Sequence, residues 1–455
     1  MAIKTFKRRI GVTGLSNSGK TVFLTSLINH LKDHDLNKLP IGNGDTSISK
    51  FEPHVVGKGK NQFNFERYRD TLVNSGRWPE KTSDSSHFLC SFERSDWRFT
   101  GVEFELFDFP GERIADAAMV ELKDFSTWSK YILNRLESET EYREHAKNFL
   151  EMQKDTNFNR EELIHEYKLT LARLILAYKP LITPSTFLLG GSGDKATGHS
   201  PEMIAHDRYC GEHPEEQFVP LSETIQDADP KLKKIYSRRY KSYRENIVLP
   251  IFNYLKNCHR LVILVDVTTL LAAGTGMYSD NKEILMDLLH AVDPGTNFIR
   301  ISKSLITKTL RINKAGGVTR IAFVASKADK VCPPDRDNML SLLKQIIKKK
   351  ADEINGLKAD YFTCSAIIST QVIDDTDHML AGHPISIDGQ FVPPGGEIKK
   401  FQVSKLPEEW PLDWHTGEYL FPNIYPNVPK RRDCAPSQFG LERILDFIMD
   451  ESFME

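Results

Sequence analysis

Gly14-Leu15-Ser16-Asn17-Ser18-Gly19-Lys20-Thr21 is the stretch whose residue types and spacing most directly imply chemistry. Its glycines let the backbone curl so that successive N–H groups, those of Asn17, Ser18, Gly19, Lys20, Thr21 and Val22, face an anion. Lys20 then reaches β- and γ-phosphate oxygens, and the Thr21 hydroxyl is placed to ligate Mg²⁺. A second acidic element, Asp108-Phe109-Pro110-Gly111, complements it. Asp108 can hold Mg²⁺ through water while the Gly111 N–H senses a γ-phosphate. Alone, that four-residue pattern is also what an ordinary strand-ending turn looks like; downstream of a phosphate loop it becomes the second half of one site.

Both elements sit where such chemistry can be positioned. The partly β-branched run Arg8 to Thr13 precedes the loop. After it, Phe23, Leu24, Leu27 and Leu31 recur at helical spacing, giving strand, phosphate loop, helix, with the helix N-terminus adding a dipole that favours the anion. Ser86 to Arg94 and Gly101 to Asp108 read as paired strands. In the second, Val102, Phe104 and Leu106 share a face, and Phe107 shows the strand entering the core before Asp108 ends it.

Composition sets wide bounds. With 455 residues, more than one structural unit is expected. A 40% hydrophobic and 27% charged content is that of a globular chain, not a disordered one, and a formal charge of −2 gives no global signal for nucleic acid. Cys90, Cys210, Cys258, Cys332, Cys364 and Cys434 stand far apart without a C-x-x-C pair, so neither a zinc module nor a disulfide framework is suggested. His199, His206, Cys210 and His213 lie near one another but follow no zinc spacing. No apolar run is long enough for an integral membrane segment, so the expected location is cytoplasmic, with any contact at the inner membrane peripheral.

The remaining chain alternates between two characters. Leu31 to about Lys60 reads as a long connection, with a helix possible in Asn61 to Ser75. Beyond Arg113 the strand pattern gives way to helical stretches: Ala115 to Phe125, Trp128 to Leu136, Thr140 to Met152 and Arg160 to Tyr178. From Lys231 to Arg244 seven basic residues are interleaved with Tyr236, Tyr240 and Tyr243, which suits either an anionic surface or a solvated face around a packing stripe. Buried parallel strands resume at Arg260 to Val267, Thr319 to Ser326 and Lys358 to Cys364, with helices expected at Asp280 to Ala291, Ser302 to Asn313 and Asn338 to Ile354. Gln371 to Glu409 is Gly/Pro-rich and β-prone, and Leu441, Ile444, Leu445 and Ile448 mark a closing helix.

The order of phosphate loop, Asp108-to-Gly111, Ser326-Lys327-Ala328-Asp329 after one strand and Ser365-Ala366 after another resembles the Ras-like GTPase superfamily. The string Phe107-Asp108-Phe109-Pro110-Gly111-Glu112-Arg113 and the overall length point further, to the YcjX-like stress-associated P-loop GTPases of bacteria. The resemblance implies an α/β fold: a Ras-like P-loop NTPase core with a mainly parallel sheet over 1–112 and 256–370. To this it adds a large, mostly helical insertion domain over 113–255, a small peripheral β-prone elaboration over 371–439, and a closing core helix over 440–455. It implies GTP and GDP as substrate and product, Mg²⁺ as cofactor, and a slow hydrolytic switch in a bacterial stress response. It also allows a protein effector or peripheral membrane partner through the insertion.

The same resemblance assigns roles. Asp329 would accept from guanine's ring N–H and exocyclic amine, a pair adenine does not offer. Lys327 would lay its stem over the base, and Ser365, Ala366 and Ile367 would close beneath the guanine oxygen. Ser326 departs from the usual Asn or Thr, removing an amide that braces this loop. Thr82, on the loop before the first hairpin strand, would supply a second Mg²⁺ hydroxyl. Glu112 stands where related enzymes often carry a water-orienting Gln, and Arg77, five residues before Thr82, is the candidate for charge compensation in cis. The alternatives are a nucleotide-binding scaffold that does not turn over, or an ATPase if Ser326 to Asp329 does not select guanine.

Overall fold

Strand β1 (Lys4–Gly14) extends well ahead of the apolar run at Arg8, because it pairs in parallel with the whole of β4 (Thr100–Asp108), from Lys4 opposite Thr100 to Val12 opposite Asp108. The computed structural model describes residues 4–449 apart from 43, 58–59, 81–84, 98–99, 139, 178–187, 190–199, 294–316, 355–356, 388–389 and 432–433. The helix expected over Ser302 to Asn313, together with Thr82 and His199, lies outside the described residues.

By its internal contacts the chain divides into two units, Met1–Pro110 with Leu255–Thr275 and Asp293–Glu455, and Gly111–Tyr254 with Gly276–Val292. The first holds a seven-stranded sheet. Its other strands are β2 (Ile48–His54), β3 (Ser86–Arg94), β5 (Arg260–Val265), β6 (Arg320–Ala325) and β7 (Lys358–Thr363), in the order β2-β3-β4-β1-β5-β6-β7. Five strands from β4 to β7 run parallel, and β3 and β2 are added antiparallel. β5 and β6 are buried at every position, as strands covered on both faces must be. The fold is thus mixed α/β with a mainly parallel central sheet.

β2 corrects the expectation of a featureless connection from Leu31 to Lys60. It is an edge strand of which only Ile48 is buried, with Lys50 in the left-handed region (φ 53°) and Pro53 blunting its ladder, so no alternating apolar pattern marks it. The run expected as a strand to Val267 ends at Val265, where Asp266 turns the chain into the helix Val267–Ala273.

Helix α1 (Lys20–Lys32) packs Phe23, Leu24, Leu27, Ile28 and Leu31 into a core with Ile10 and Val12 of β1, Phe104 and Leu106 of β4, Leu264 of β5 and the closing helix Leu441–Ile448. Each such Leu or Phe contributes about 1.5–3 kcal/mol by burial, which fixes α1 and the loop before it to the sheet. A three-stranded antiparallel sheet, β8 (Gln371–Asp374), β9 (Met379–Gly382) and β10 (Lys399–Gln402), forms much of the β-prone stretch.

The second unit is predominantly helical. It opens with a 3₁₀ stretch, Gly111–Val120, followed by helices Phe125–Ser138, Thr140–Met152, Arg160–Ala177 and Pro230–Tyr243. Tyr236, Tyr240 and Tyr243 are buried, among Phe125, Trp128 and Phe218, so the tyrosine stripe is packing. Arg113 donates to the Tyr243 hydroxyl at 2.8 Å, which in turn donates to Asp116 at 2.8 Å, tying the first residues of this unit to the Pro230–Tyr243 helix.

Candidate functional site

The carboxyl ends of the parallel strands form one row, the edge at which open α/β sheets place ligands. Gly14 ends β1 opposite Leu264, and Val265, Ala325 and Thr363 face one another across β5, β6 and β7. Asp108 is level with Val12, locked by the Phe109 N–H donating to the Val12 carbonyl at 3.1 Å. Asp108, the phosphate loop, Asp266, Ser326 and Ser365 are thereby carried by adjacent strand ends.

The phosphate loop owes its course to three residues. Gly14 lies against β5 so closely that a Cβ would fall 2.1 Å from the Leu264 carbonyl oxygen. Asn17 (φ 58°) and Gly19 (φ 87°) adopt the left-handed conformation that turns successive N–H groups to one side, and Gly19 caps α1. Lys20, 7% exposed, donates to the carbonyls of Gly14 (3.0 Å) and Leu15 (2.8 Å), so its ammonium is held along the rim of its own loop. The Thr21 hydroxyl donates to Asp108 Oδ2 at 3.4 Å, and Asp108 is 1% exposed. Ser18 Oγ is buried with no hydrogen-bond partner among the described residues.

At the neighbouring strand ends Asp329 is buried, its Oδ1 accepting from the Ser365 hydroxyl (2.6 Å) and its Oδ2 from the Ser369 N–H (2.9 Å). Each oxygen retains a second acceptor direction. Ser365 exchanges backbone hydrogen bonds with Phe439, 2.9 Å each way, and Ser26 of α1 donates to the Ala366 carbonyl at 2.5 Å, so this loop is braced from two sides. Ile367 is buried beside them. Ser326 is buried and its Oγ has no hydrogen-bond partner among the described residues.

Lys327 has φ 58°, and its side chain runs over the phosphate loop, with Cε 3.9 Å from where a Gly19 Cβ would stand. Its Nζ pairs with Asp266 Oδ2 at 2.7 Å. Burial pushes the Asp266 carboxyl up, but the Lys327 ammonium, then that of Lys330, and hydrogen bonds from Lys327 and Thr268 outweigh it and hold it well below the usual carboxylate range. Lys330 is pushed down to about 8, by burial first and Lys327 second, against the pull of Asp266 and Asp329.

The structure therefore brings together Asn17, Ser18, Gly19, Lys20, Thr21, Val22 and Asp108, and beside them Lys327, Asp329, Ser365, Ala366 and Ile367. Gly111 and Glu112 are the first residues of the 3₁₀ stretch that opens the second unit. The Arg77 guanidinium carbon lies 5.7 Å from the centroid of the Phe391 ring, while Trp78 donates to the Ile424 carbonyl at 2.7 Å. Asp266 lies outside the motifs that mark the other site residues in the sequence. Its only local signal is an Asp with Thr268 and Thr269 following, which reads as a helix cap.

A family model described as the YcjX-like family, DUF463, matches residues 8–453. A protein of Escherichia coli (strain K12) named "Ras-like GTPase YcjX" is 24% identical over 452 residues, covering 90% of this chain and 85% of its own length. A protein of the same name from Shewanella oneidensis is 23% identical over 409 residues, covering 80% of this chain and 77% of its own length.

Proposed function

The chain belongs to the YcjX-like family, and from that premise we propose that it is a P-loop GTPase, binding GTP with Mg²⁺, hydrolysing it slowly to GDP and phosphate, and acting as a nucleotide-dependent switch. The observation that carries the proposal is the arrangement, on adjacent strand ends, of Lys20, Thr21 and Asp108 with Lys327 and Asp329. Phosphates and a guanine base, the two ends of one nucleotide, have complementary partners there.

The residues fit Mg²⁺. Thr21 Oγ1 and Asp108 Oδ2, 3.4 Å apart and buried, are hard oxygen donors of the kind Mg²⁺ takes while keeping waters and phosphate oxygens as its other ligands. When bound there, Mg²⁺ would neutralise charge that develops on the transferred phosphoryl group. The chain supplies the rest. N–H groups from Asn17 to Val22 hold the phosphates, and Lys20 turns its ammonium from the Gly14 and Leu15 carbonyls to the β- and γ-oxygens. Asp329 uses its remaining acceptor directions for guanine's N–H groups, and the Ser365 to Ile367 loop closes on the guanine oxygen. Thr82 adds a second hydroxyl for the metal, the Gly111 N–H senses the γ-phosphate and Glu112 accepts a proton from the attacking water. Arg77 compensates charge after leaving the Phe391 ring. The stress-response setting rests on the family resemblance, and the setting we propose is the cytoplasm, with any contact at the inner membrane peripheral.

Phosphate release from GTP in Mg²⁺, compared between wild type and Lys20→Ala, tests turnover. The expected result is release by wild type that the variant lacks. Equal rates would favour a non-hydrolysing scaffold, which Glu112 in place of a Gln and Ser326 in place of an Asn also suit.

A further inference from the structure

Asp266 is a buried acid outside the motifs, and its four acceptor contacts divide by purpose. Oδ1 takes the Thr268 hydroxyl (2.6 Å) and the Thr269 N–H (3.0 Å), the N-cap of the helix Val267–Ala273. Oδ2 takes the Thr269 hydroxyl (2.6 Å) and the Lys327 ammonium (2.7 Å). The cap contacts fix the carboxylate's rotamer, and a carboxylate 3% exposed with that rotamer presents its charge in one direction, toward Lys327. Lys327 meanwhile needs an anchor. Its backbone is left-handed, uncommon for a residue with a side chain, and the hydroxyl of the preceding Ser326 has no hydrogen-bond partner among the described residues. An ammonium on a flexible four-carbon stem loses that freedom only if its end is held.

We infer that Asp266 is the positioning residue of the base site, holding the Lys327 stem stretched over the phosphate loop as one wall of the slot for a purine ring. This rests on the nucleotide reading above and deepens it, because stacking and edge recognition become separate functions. Asp266, acting through Lys327, sets how tightly any purine nucleotide is held, and Asp329 sets which purine. The loop is tied at both ends, by the Ser326 N–H to the Val265 carbonyl (3.0 Å) and the Ala328 N–H to the Cys364 carbonyl (3.1 Å), so the side chain can be released without the loop moving.

A double-mutant cycle tests it on the full chain, with GDP and ADP binding measured by calorimetry in Mg²⁺. Asp266→Asn keeps a side-chain oxygen able to cap the helix while removing the charge, and Lys327→Met keeps an apolar stem without the ammonium. Asp266→Asn is expected to weaken GDP by about tenfold, the scale of one hydrogen bond to a charged group, and ADP by the same factor, leaving their ratio unchanged. In the Lys327→Met background the same substitution is expected to change neither. An equal loss in both backgrounds, or no loss in wild type, overturns the inference; the first would leave Asp266 as a helix cap alone, which a lowered melting temperature in both would accompany. Wild type binding GDP no better than ADP overturns only the guanine reading, since the stem covers either purine and the cycle is then scored with ADP. Wild type binding neither overturns both.

Discussion

Asp329 is held by its own chain before any ligand arrives, and that arrangement has a cost and a use. The Ser365 hydroxyl and the Ser369 N–H spend one acceptor direction on each oxygen, which orients the carboxylate and leaves an outer direction on each, the pair that the proposed function gives to guanine's two N–H groups. Asp329→Asn replaces one of those oxygens with an amide that meets guanine donor to donor. The GTP-to-ATP affinity ratio is therefore expected to fall by at least about tenfold, and a competition assay returning the wild-type ratio would remove Asp329 from base recognition. Lys20, Thr21, Asp108 and Asp329 stand out in the sequence because the motif that suggests each role is a few contiguous residues long. Asp266 does not, since its partner Lys327 lies in another strand's loop and nothing at either position announces the pair. Arg77, chosen for its place in the chain, lies against Phe391 through tertiary packing that spacing alone does not reveal.

At the level of elements, the Ser365 loop depends on the residues that lead into the closing helix Leu441–Ile448. Phe439 pairs with Ser365, and Gly440, at φ 79°, brings its Cα so near β7 that a Cβ would stand 2.2 Å from the Thr363 carbonyl oxygen. Gly440→Ala should cost at least about 2 kcal/mol in unfolding free energy and weaken nucleotide binding with it. A variant that melts like wild type would show the close approach to be relieved easily. Helix α1 carries a second testable feature in His30, which is fully buried. Burial first, and the Lys38 ammonium second, push its imidazole down to about 4 from 6.5, with the Pro436 backbone pulling the other way. Because the folded pKa lies below the unfolded one, the unfolded chain binds the proton first. Stability is then full above pH 6.5 and is lost as pH falls toward 4, by about 3 kcal/mol from this group. Urea unfolding of His30→Gln should show a shallower acid slope than wild type over that window, and identical slopes would contradict the assignment. The helices Lys20–Lys32, Thr140–Met152, Arg160–Ala177 and Arg336–Asp352 and the buried strands were legible from their periodicity, whereas the short helices Glu223–Ala228 and Val267–Ala273 offer too few turns for a period to show. The edge strand β2 was not legible either, since one buried residue, a left-handed Lys50 and Pro53 leave no period to find.

For the whole molecule, chain connectivity joins the segment proposed to sense the γ-phosphate to the helical unit. Asp108 ends β4 in the first unit and Gly111 begins the second. Within the second unit Arg113 is bonded to Tyr243 and lies 3.6 Å from Asp116, so a shift at Gly111 would reach the Pro230–Tyr243 helix by a short path. The exposed Lys231, Lys234, Arg238 and Lys241 of that helix would then be the surface through which an effector or a membrane senses nucleotide state. Hydrogen exchange with GDP and with a non-hydrolysable GTP analogue should differ in 112–135 and 229–250. Equal protection there, while the phosphate loop responds, would make the helical unit scaffolding. Among the described residues no helix is long and apolar enough to cross a membrane.

The central claim, that one guanine nucleotide spans the phosphate loop and Asp329, is tested most directly by calorimetric titration of the purified chain with GTP, GDP, ATP and ADP in Mg²⁺. The account predicts saturable one-to-one binding of GTP and GDP, tighter than ATP and ADP by at least about tenfold, because adenine leaves the Asp329 acceptors unmatched. Adenine nucleotides binding as tightly as guanine nucleotides would contradict it.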